Sequence, residues 1–559
     1  MAYDLVIRNG TIVDGTGAPR YRADIAIAAG RIAEIGKIKD GAQRTIDASD
    51  LIVAPGFFDP HTHYDAQMCW DPLITCSSWH GVTSIVMGNC GVGIAPCRPA
   101  DREVATWDLV NVEGIPFDVL NRGITWDWQS FPEFMDAAER RGSALNLGFL
   151  APLTPFRHTV MGEESMERAA TARERTEVKA LLKEAVAAGA IGFSLTRVRQ
   201  HIGYQGRPLA CRLADREELK AYGNALRELG KGTIEIALNQ DLALVTEEEA
   251  ELLDFMLTES ARPVTWLGLA PTSGRGDSHL DTLNRMAPFM ARGGIPQVIA
   301  YPSEPQFSMR NPFLLASIEC WQPVFNKPPE VQKQIYRDPA FRSAFREALK
   351  TPQIFAGRFD RVRIDEVGDP ALKHIEGKMV AEVAHQRKAD PLDTFLDLAI
   401  EDDLRIRYAV ANRGEDRLAP LIRDPRTLVG QADGGAHVDM ICMAGYPTHL
   451  IGTWVRDKQL MALEEGVRRL TSQPADLFGF PERGRLAPGV AADIAIFDYD
   501  NIGCAKRPES RHDLPGGGLR LVTTSRGVEY TIVNGEILYE HGQHTGKLPG
   551  HVLRSRQLT

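Results

Sequence analysis

Between Gly56 and Pro481 the chain repeats one pattern, and that pattern constrains its fold more than any other feature. A short apolar run ends in a loop, and in several cases an amphipathic stretch follows before the next run. The runs are FFDPHTH, GVTSIVMGNCG, SALNLGFLAPL, GAIGFSLT, GTIEIALN, RPVTWLGLA, GIPQVIAYP and TLVGQADGG. Short apolar runs bounded by turn residues read as buried strands. ERTEVKALLKEAVAAG and DREELKAYGNALRELGKG carry apolar residues at helical spacing. Alternating β and α units predict an α/β fold, a (β/α)8 TIM-like barrel whose chemistry sits at the C-terminal ends of its strands.

The flanks have a different texture. DLVIRNGTIVDG, ADIAIAAGRIAEIG and RTIDASDLIVAPG alternate apolar and polar residues around Asn-Gly, Asp-Gly and Ala-Gly turns. VAADIAIFDYD and VEYTIVNGEILYEHGQ repeat that texture near the other end. A few strands at each end are too few to stand alone, so the two ends are expected to pair into one small discontinuous β-sandwich domain. The predicted division is 1–55 for the first part of that domain, 56–481 for the barrel and 482–559 for the second part and tail. The stretch 300–420 exceeds one β/α unit and predicts inserted helices (PEVQKQIYRD, DPAFRSAFREAL, DPLDTFLDLAIEDDL) over the barrel mouth.

At 559 residues, with Lys+Arg 64 against Asp+Glu 74, the chain is large and mildly acidic. That charge argues against nucleic acid or an anionic membrane as partner and leaves a small-molecule substrate, with a homo-oligomer permitted. The opening MAYDLVIRNG has no basic segment followed by an apolar one, and no apolar run reaches the length of a membrane span. The eight cysteines show no paired spacing and read as reduced thiols of a cytoplasmic protein.

One motif ends the first strand. In an extended chain, side chains at i and i+2 point the same way, so His61 and His63 in PHTHYD aim at one spot. Two neutral imidazoles converging at the end of a strand suit a bound metal better than a turn pair bonded to backbone.

These pieces together resemble the amidohydrolase superfamily, and within it the D-aminoacylase (N-acyl-D-amino-acid deacylase) family. The resemblance is carried by DLVIRNGTIVDGTG, APGFFDPHTHYD, HGVTSIVMGNCGVGIAP, GAIGFSLT, QADGGAH and LTSQPADLFGFPERGRLAPGVAADIAIFD, in the family's order. It implies that His61, His63, Cys90 and Asp433 are metal ligands, and that Asp433 also carries the proton of the attacking water. It implies zinc as cofactor and hydrolysis of an N-acyl-D-amino acid or similar N-acyl compound. The family normally adds a histidine at the ends of strands five and six. Here GTIEIALNQ and RPVTWLGLAPTSG contain none; Glu235 is the one ligand type in strand five, and Asp277 and His279 lie past strand six. One ion is therefore favoured, with two permitted.

Other candidates stay open. Arg197 reads equally as a clamp for a substrate carboxylate or as a surface ion pair. His437 reads as a substrate contact or as a structural histidine. His80 and His158 read as structural, and His541, His544 and His551 as solvated. Two alternatives to the deacylase reading remain: the same chemistry on a cyclic amide, carbamate or lactone, and a non-catalytic binding scaffold.

Overall fold

The computed structural model describes residues 3–238, 241–272, 274–301, 304–351, 355–410 and 415–554. The last residues of GTIEIALNQ, one residue of the strand-six loop, parts of 300–420 and the last five of 482–559 lie outside them.

Among the described residues, parallel segments follow one another in chain order: Phe57–Asp59, Val82–Met87, Asn146–Phe149 continuing into Ala151–Pro152, Gly192–Thr196, Thr233–Ala237, Val264–Leu269, Gly294–Val298 and Leu428–Val429. Each pairs in parallel with the next. An isolated parallel bridge between Thr62 and Gly434 joins the first to the last. The helices Ala172–Ala188 and Arg216–Leu229 match the expected amphipathic stretches, and both have side-chain N-caps, Thr171 and Asp215. All residues of the strands Val82–Met87, Gly192–Thr196 and Thr233–Ala237 are buried, as expected for strands covered on both faces.

Strands from both chain ends share one mixed sheet. Ile52–Pro55 pairs antiparallel with Ile494–Phe497, in the register Val53 to Ile496, and Tyr3–Ile12 and Val528–Val533 extend the sheet on either side. Leu5, Ile7, Ile25, Ile27, Ile494, Ile496 and Ile532 form a single core from the two ends. Val552–Leu553 then returns to pair with Asn146–Phe149.

The region 300–420 contains the expected helices at Pro329–Arg337, Pro339–Ala348 and Pro391–Glu401. It also contains an antiparallel sheet of Gln306–Ser308, Arg407–Val410 and Val362–Glu366, which the sequence reading missed. With its own aromatic core around Phe307, Trp321, Phe395 and Tyr408, this region packs as a satellite unit. It reaches the loop after Leu428–Val429 through Gln306, whose N–H donates to the Met440 carbonyl at 2.8 Å. No helix among the described residues is long and apolar enough to cross a membrane.

Candidate metal centre

The first parallel segment is brief, but its pairing continues past Pro60. The Thr62 N–H donates to Val86 O at 2.9 Å on one side, and on the other the His63 N–H donates to Gly434 O at 2.7 Å. Asp433 N–H in turn donates to His61 O at 3.1 Å. Thr62 turns its hydroxyl onto Val86 O, which leaves His61 and His63 on the opposite side. The i, i+2 spacing thus converges both imidazoles, and the Nε2 atoms lie 3.3 Å apart.

Cys90 arrives from the loop after Val82–Met87. It sits at φ 56 and is followed by Gly91 at φ 69. A Cβ on Gly91 would approach Leu195 Cα to 2.7 Å, so this turn passes directly over the strand Gly192–Thr196. Cys90 Sγ then lies 3.6 Å from His61 Nε2. Ligand atoms of His61, His63 and Cys90 all fall within 4.8 Å of one another, and all three residues are buried.

Asp433 closes the cluster from the end of the last strand. Its Oδ1 is 3.3 Å from His61 Nε2 and 3.9 Å from His63 Nε2. The Asp433-Gly-Gly turn presses on the histidine segment, since a Cβ on Gly435 (φ 87) would sit 2.7 Å from His63 O. Asp433 keeps 11% side-chain exposure, whereas His61 has none, so the carboxylate lies on the open side of the cluster.

These distances decide whether the donors fit a cation. Tetrahedral zinc, with bonds of about 2.0–2.1 Å to nitrogen and 2.3 Å to sulfur, separates two nitrogens by about 3.3 Å and nitrogen from sulfur by about 3.6 Å. The His61–His63 and His61–Cys90 pairs already have that spacing, and the three ligand atoms lie within 4.8 Å of one another. Electrostatics agree. Burial pushes His61 down to about 3, against a raising contact from Gln297, and pushes His63 well below the ordinary imidazole range. Both rings are therefore neutral, as ligands must be. Burial raises the Cys90 thiol, and the neighbouring Glu235 and Asp433 add to the effect; a cation would reverse it. Asp433 is pushed up to about 7 by burial, against a lowering hydrogen bond from Gln431.

Two carboxylates stand behind the ligands. Glu235 points inward, and its Oε2 accepts the Cys90 N–H at 2.7 Å. It therefore holds the Cys90 turn through the backbone. Burial pushes Glu235 up to about 8. Glu113, the last residue of the helix Arg102–Glu113, places Oε1 3.1 Å from His63 Nδ1, with both side chains buried. The sequence reading did not identify Glu113. Its one local signal is an acidic residue in the last turn before Gly114, where the helix dipole disfavours a negative charge.

His437 is also here. Its ring lies against Phe313 from the satellite unit, with centroids 4.5 Å apart and planes tilted by 46°, and burial lowers it to about 4. His201, from the loop after Gly192–Thr196, is buried with its Nδ1 unpartnered; it is held down to about 3 by burial and then by His437, Arg212 and His61. His201 was not singled out from the sequence either. Arg197 is engaged with the backbone. Its guanidinium donates to Arg212 O and, at 2.7 Å, to Ala214 O, so it secures the turn below the helix Arg216–Leu229. It lines a cavity of about 600 Å³ with Arg199, Arg212, Arg216 and Glu248. His279 lies within the electrostatic reach of Arg417, Asp277 and Asp281.

Comparison with known proteins adds relatives to this geometry. The family model described as "Amidohydrolase family" matches residues 44–539. D-aminoacylase from Alcaligenes xylosoxydans xylosoxydans is 26% identical over 99% of this chain and 97% of its own length. N-acyl-D-glutamate deacylase from the same organism is also 26% identical, over 99% and 96%. Among solved structures, an N-acyl-D-glutamate deacylase from Bordetella bronchiseptica, complexed with zinc and a phosphonate mimic of the tetrahedral intermediate, superposes with TM-score 0.68. It shares 25% identity and covers 99% of this chain and 100% of that one.

Proposed function

This chain belongs to the amidohydrolase family and is a metal-dependent amidohydrolase, and on that premise we propose that it deacylates an N-acyl-D-amino acid at the cluster of His61, His63, Cys90 and Asp433. We read the parallel segments joined by the Thr62–Gly434 bridge as a closed (β/α)8 barrel, with a discontinuous β domain from residues 1–55 and 482–559. On that reading the cluster sits at the C-terminal ends of strands one, two and eight, where this architecture carries its chemistry.

The observation that carries the assignment is the spacing of three buried donors, 3.3 Å between the imidazole nitrogens and 3.6 Å from nitrogen to sulfur. His61, His63 and Cys90 would hold one zinc ion, the metal named for the Bordetella relative. Among the described residues these three form the one cluster of three such donors, which supports a single ion. The bound cation would supply Lewis acidity, polarising a carbonyl and easing loss of a proton from water.

The protein's own residues supply the rest. Asp433, at the open side, accepts the proton of the attacking water on Oδ1 and returns it to the departing amine. Glu113 lies against Nδ1 of His63, and Glu235 holds the Cys90 turn through its N–H. His437 and His201 are neutral rings beside His63 and provide donors for the substrate's carboxylate or acyl oxygen. We give that contact to His437 rather than to Arg197, whose guanidinium already serves two backbone carbonyls.

The D-amino-acid assignment rests on the two relatives that match nearly the full chain. It is tested by assaying the zinc-loaded protein on N-acetyl-D-glutamate, other N-acyl-D-amino acids, their L enantiomers and cyclic amides. Preference for the D acids supports the reading. Turnover confined to cyclic amides, or to L acids, overturns it.

A further inference from the structure

The loop that carries Asp433 and His437 also carries Cys442. Its Sγ lies 3.3 Å from Sγ of Cys76, a residue 366 positions away in sequence. Cys76 is buried, while Cys442 remains partly exposed. Both cysteines line one small cavity with Tyr64, Gly434 and Asp433, so the pair and the candidate proton carrier border one space. Cys76 belongs to the segment that follows the His61–His63 motif. The pair therefore faces across the junction between the first and last strands.

The two thiols differ in character. The hydrogen bond from Cys76 holds Cys442 below the ordinary thiol range, with help from Thr523, and the same contact holds Cys76 above it. A thiol stabilised as thiolate, partly exposed and beside a second thiol, has the arrangement of an attacking and a resolving cysteine. Among the described residues no other pair of sulfurs is in hydrogen-bonding contact.

We propose that Cys76 and Cys442 are an oxidation site for hydrogen peroxide, closing to a disulfide that fastens the Asp433 loop to the segment after His63. In the first step the Cys442 thiolate attacks one peroxide oxygen. An S–O bond forms, the O–O bond breaks, and the departing hydroxide takes a proton to become water. The Cys76 sulfur then attacks the sulfenic sulfur of Cys442. An S–S bond forms, the S–O bond breaks, and the leaving hydroxide takes the Cys76 proton as a second water. The two thiols lose two electrons and two protons, and the peroxide is reduced to water.

The bond has a mechanical consequence. The sulfurs must close from 3.3 Å to about 2.05 Å. The Cys442 backbone is tied to Thr523 Oγ1 at 3.2 Å, Val438 O accepts from Leu521 N–H at 2.6 Å, and Gly434 O accepts from His63 N–H at 2.7 Å. A shift at Cys442 is thus passed along a loop fixed at several points, one of them next to Asp433.

The test uses the zinc-loaded full chain, treated with a small excess of hydrogen peroxide and mapped by mass spectrometry without reduction. The expected result is a linked peptide containing Cys76 and Cys442 that dithiothreitol separates. Turnover is expected to fall roughly tenfold or more, the scale that ångström misplacement of a reacting group carries, and to return on reduction. Cys442→Ser is expected to keep its turnover through the same treatment. Recovery of both residues as free thiols while Cys69 and Cys320 oxidise overturns the proposal, as does Cys442 accumulating as sulfinic acid beside a free Cys76. A linked peptide with unchanged turnover removes the fastening of the loop. The activity arm rests on the role proposed for Asp433, whereas the peptide map does not. A protein inactive before treatment therefore counts against that role, and the map alone then decides the disulfide.

Discussion

Nδ1 of His63 lies 3.1 Å from Oε1 of Glu113, and both side chains are buried. A carboxylate on one ring nitrogen leaves the other, Nε2, free to face the neighbouring His61 and bind a cation. A buried carboxylate at the C-terminal turn of a helix is disfavoured twice, by desolvation and by the helix dipole. A cation beyond the imidazole offsets both.

Glu113→Gln is therefore expected to weaken zinc binding about 10-fold and Glu113→Ala up to about 100-fold, the usual cost of losing a ligand's outer partner. Competition against a chromophoric chelator measures this directly. Zinc affinity unchanged in both variants would reduce Glu113 to a packing residue.

Asp433 sits on the open side of the cluster and approaches His61 Nε2 to 3.3 Å. Asp433→Asn keeps the shape and removes the proposed proton acceptor. The variant should fold and retain zinc while turnover drops by about 10²–10⁴-fold, the contribution of a positioned acid–base group. Loss of the metal together with activity would instead make Asp433 chiefly a ligand.

His80 predicts a pH effect away from the metal. Its Nε2–H donates to Thr523 O at 2.9 Å and its Nδ1 accepts from the Thr448 hydroxyl at 2.8 Å. Burial pushes its pKa down to about 4 from the ordinary 6.5. The folded ring stays neutral where the unfolded ring takes up a proton. Its contribution is complete above pH 6.5 and is lost as pH falls towards 4. That loss amounts to at most about 3 kcal/mol. Urea midpoints followed across this window should fall less steeply for His80→Asn than for wild type. Equal slopes would show that the ring protonates without cost.

Much of the architecture is legible in the sequence because burial on both faces leaves apolar runs that stand out. GAIGFSLT and TLVGQADGG end at strands the structure contains, and the Thr171 and Asp215 caps lie at the starts of expected helices. The small sheet of the satellite unit is not legible. Its strands are of three to five residues, too short for alternation to show. The centre divides the same way. His61 and His63 announce themselves because their spacing is local. Glu113, His201 and the inward direction of Glu235 do not, because each is brought in by a separate helix, loop or strand. Arg197 illustrates the converse. Its place at a strand end leaves a ligand clamp and a surface ion pair equally open, and only the fold brings the carbonyls of Arg212 and Ala214 within reach of its guanidinium.

On the function proposed for this site, hydrolysis requires one cation held by His61, His63 and Cys90. This requirement is tested most directly by stripping the protein with a chelator, adding zinc back stepwise, and following deacylation against zinc bound per chain. Activity should be absent at the start, rise in proportion to zinc, and level off near one ion per chain, with His61→Ala and Cys90→Ala failing to regain it. Full activity in the stripped protein, or activity that begins only with a second ion, would rule out a single-ion centre at these three residues.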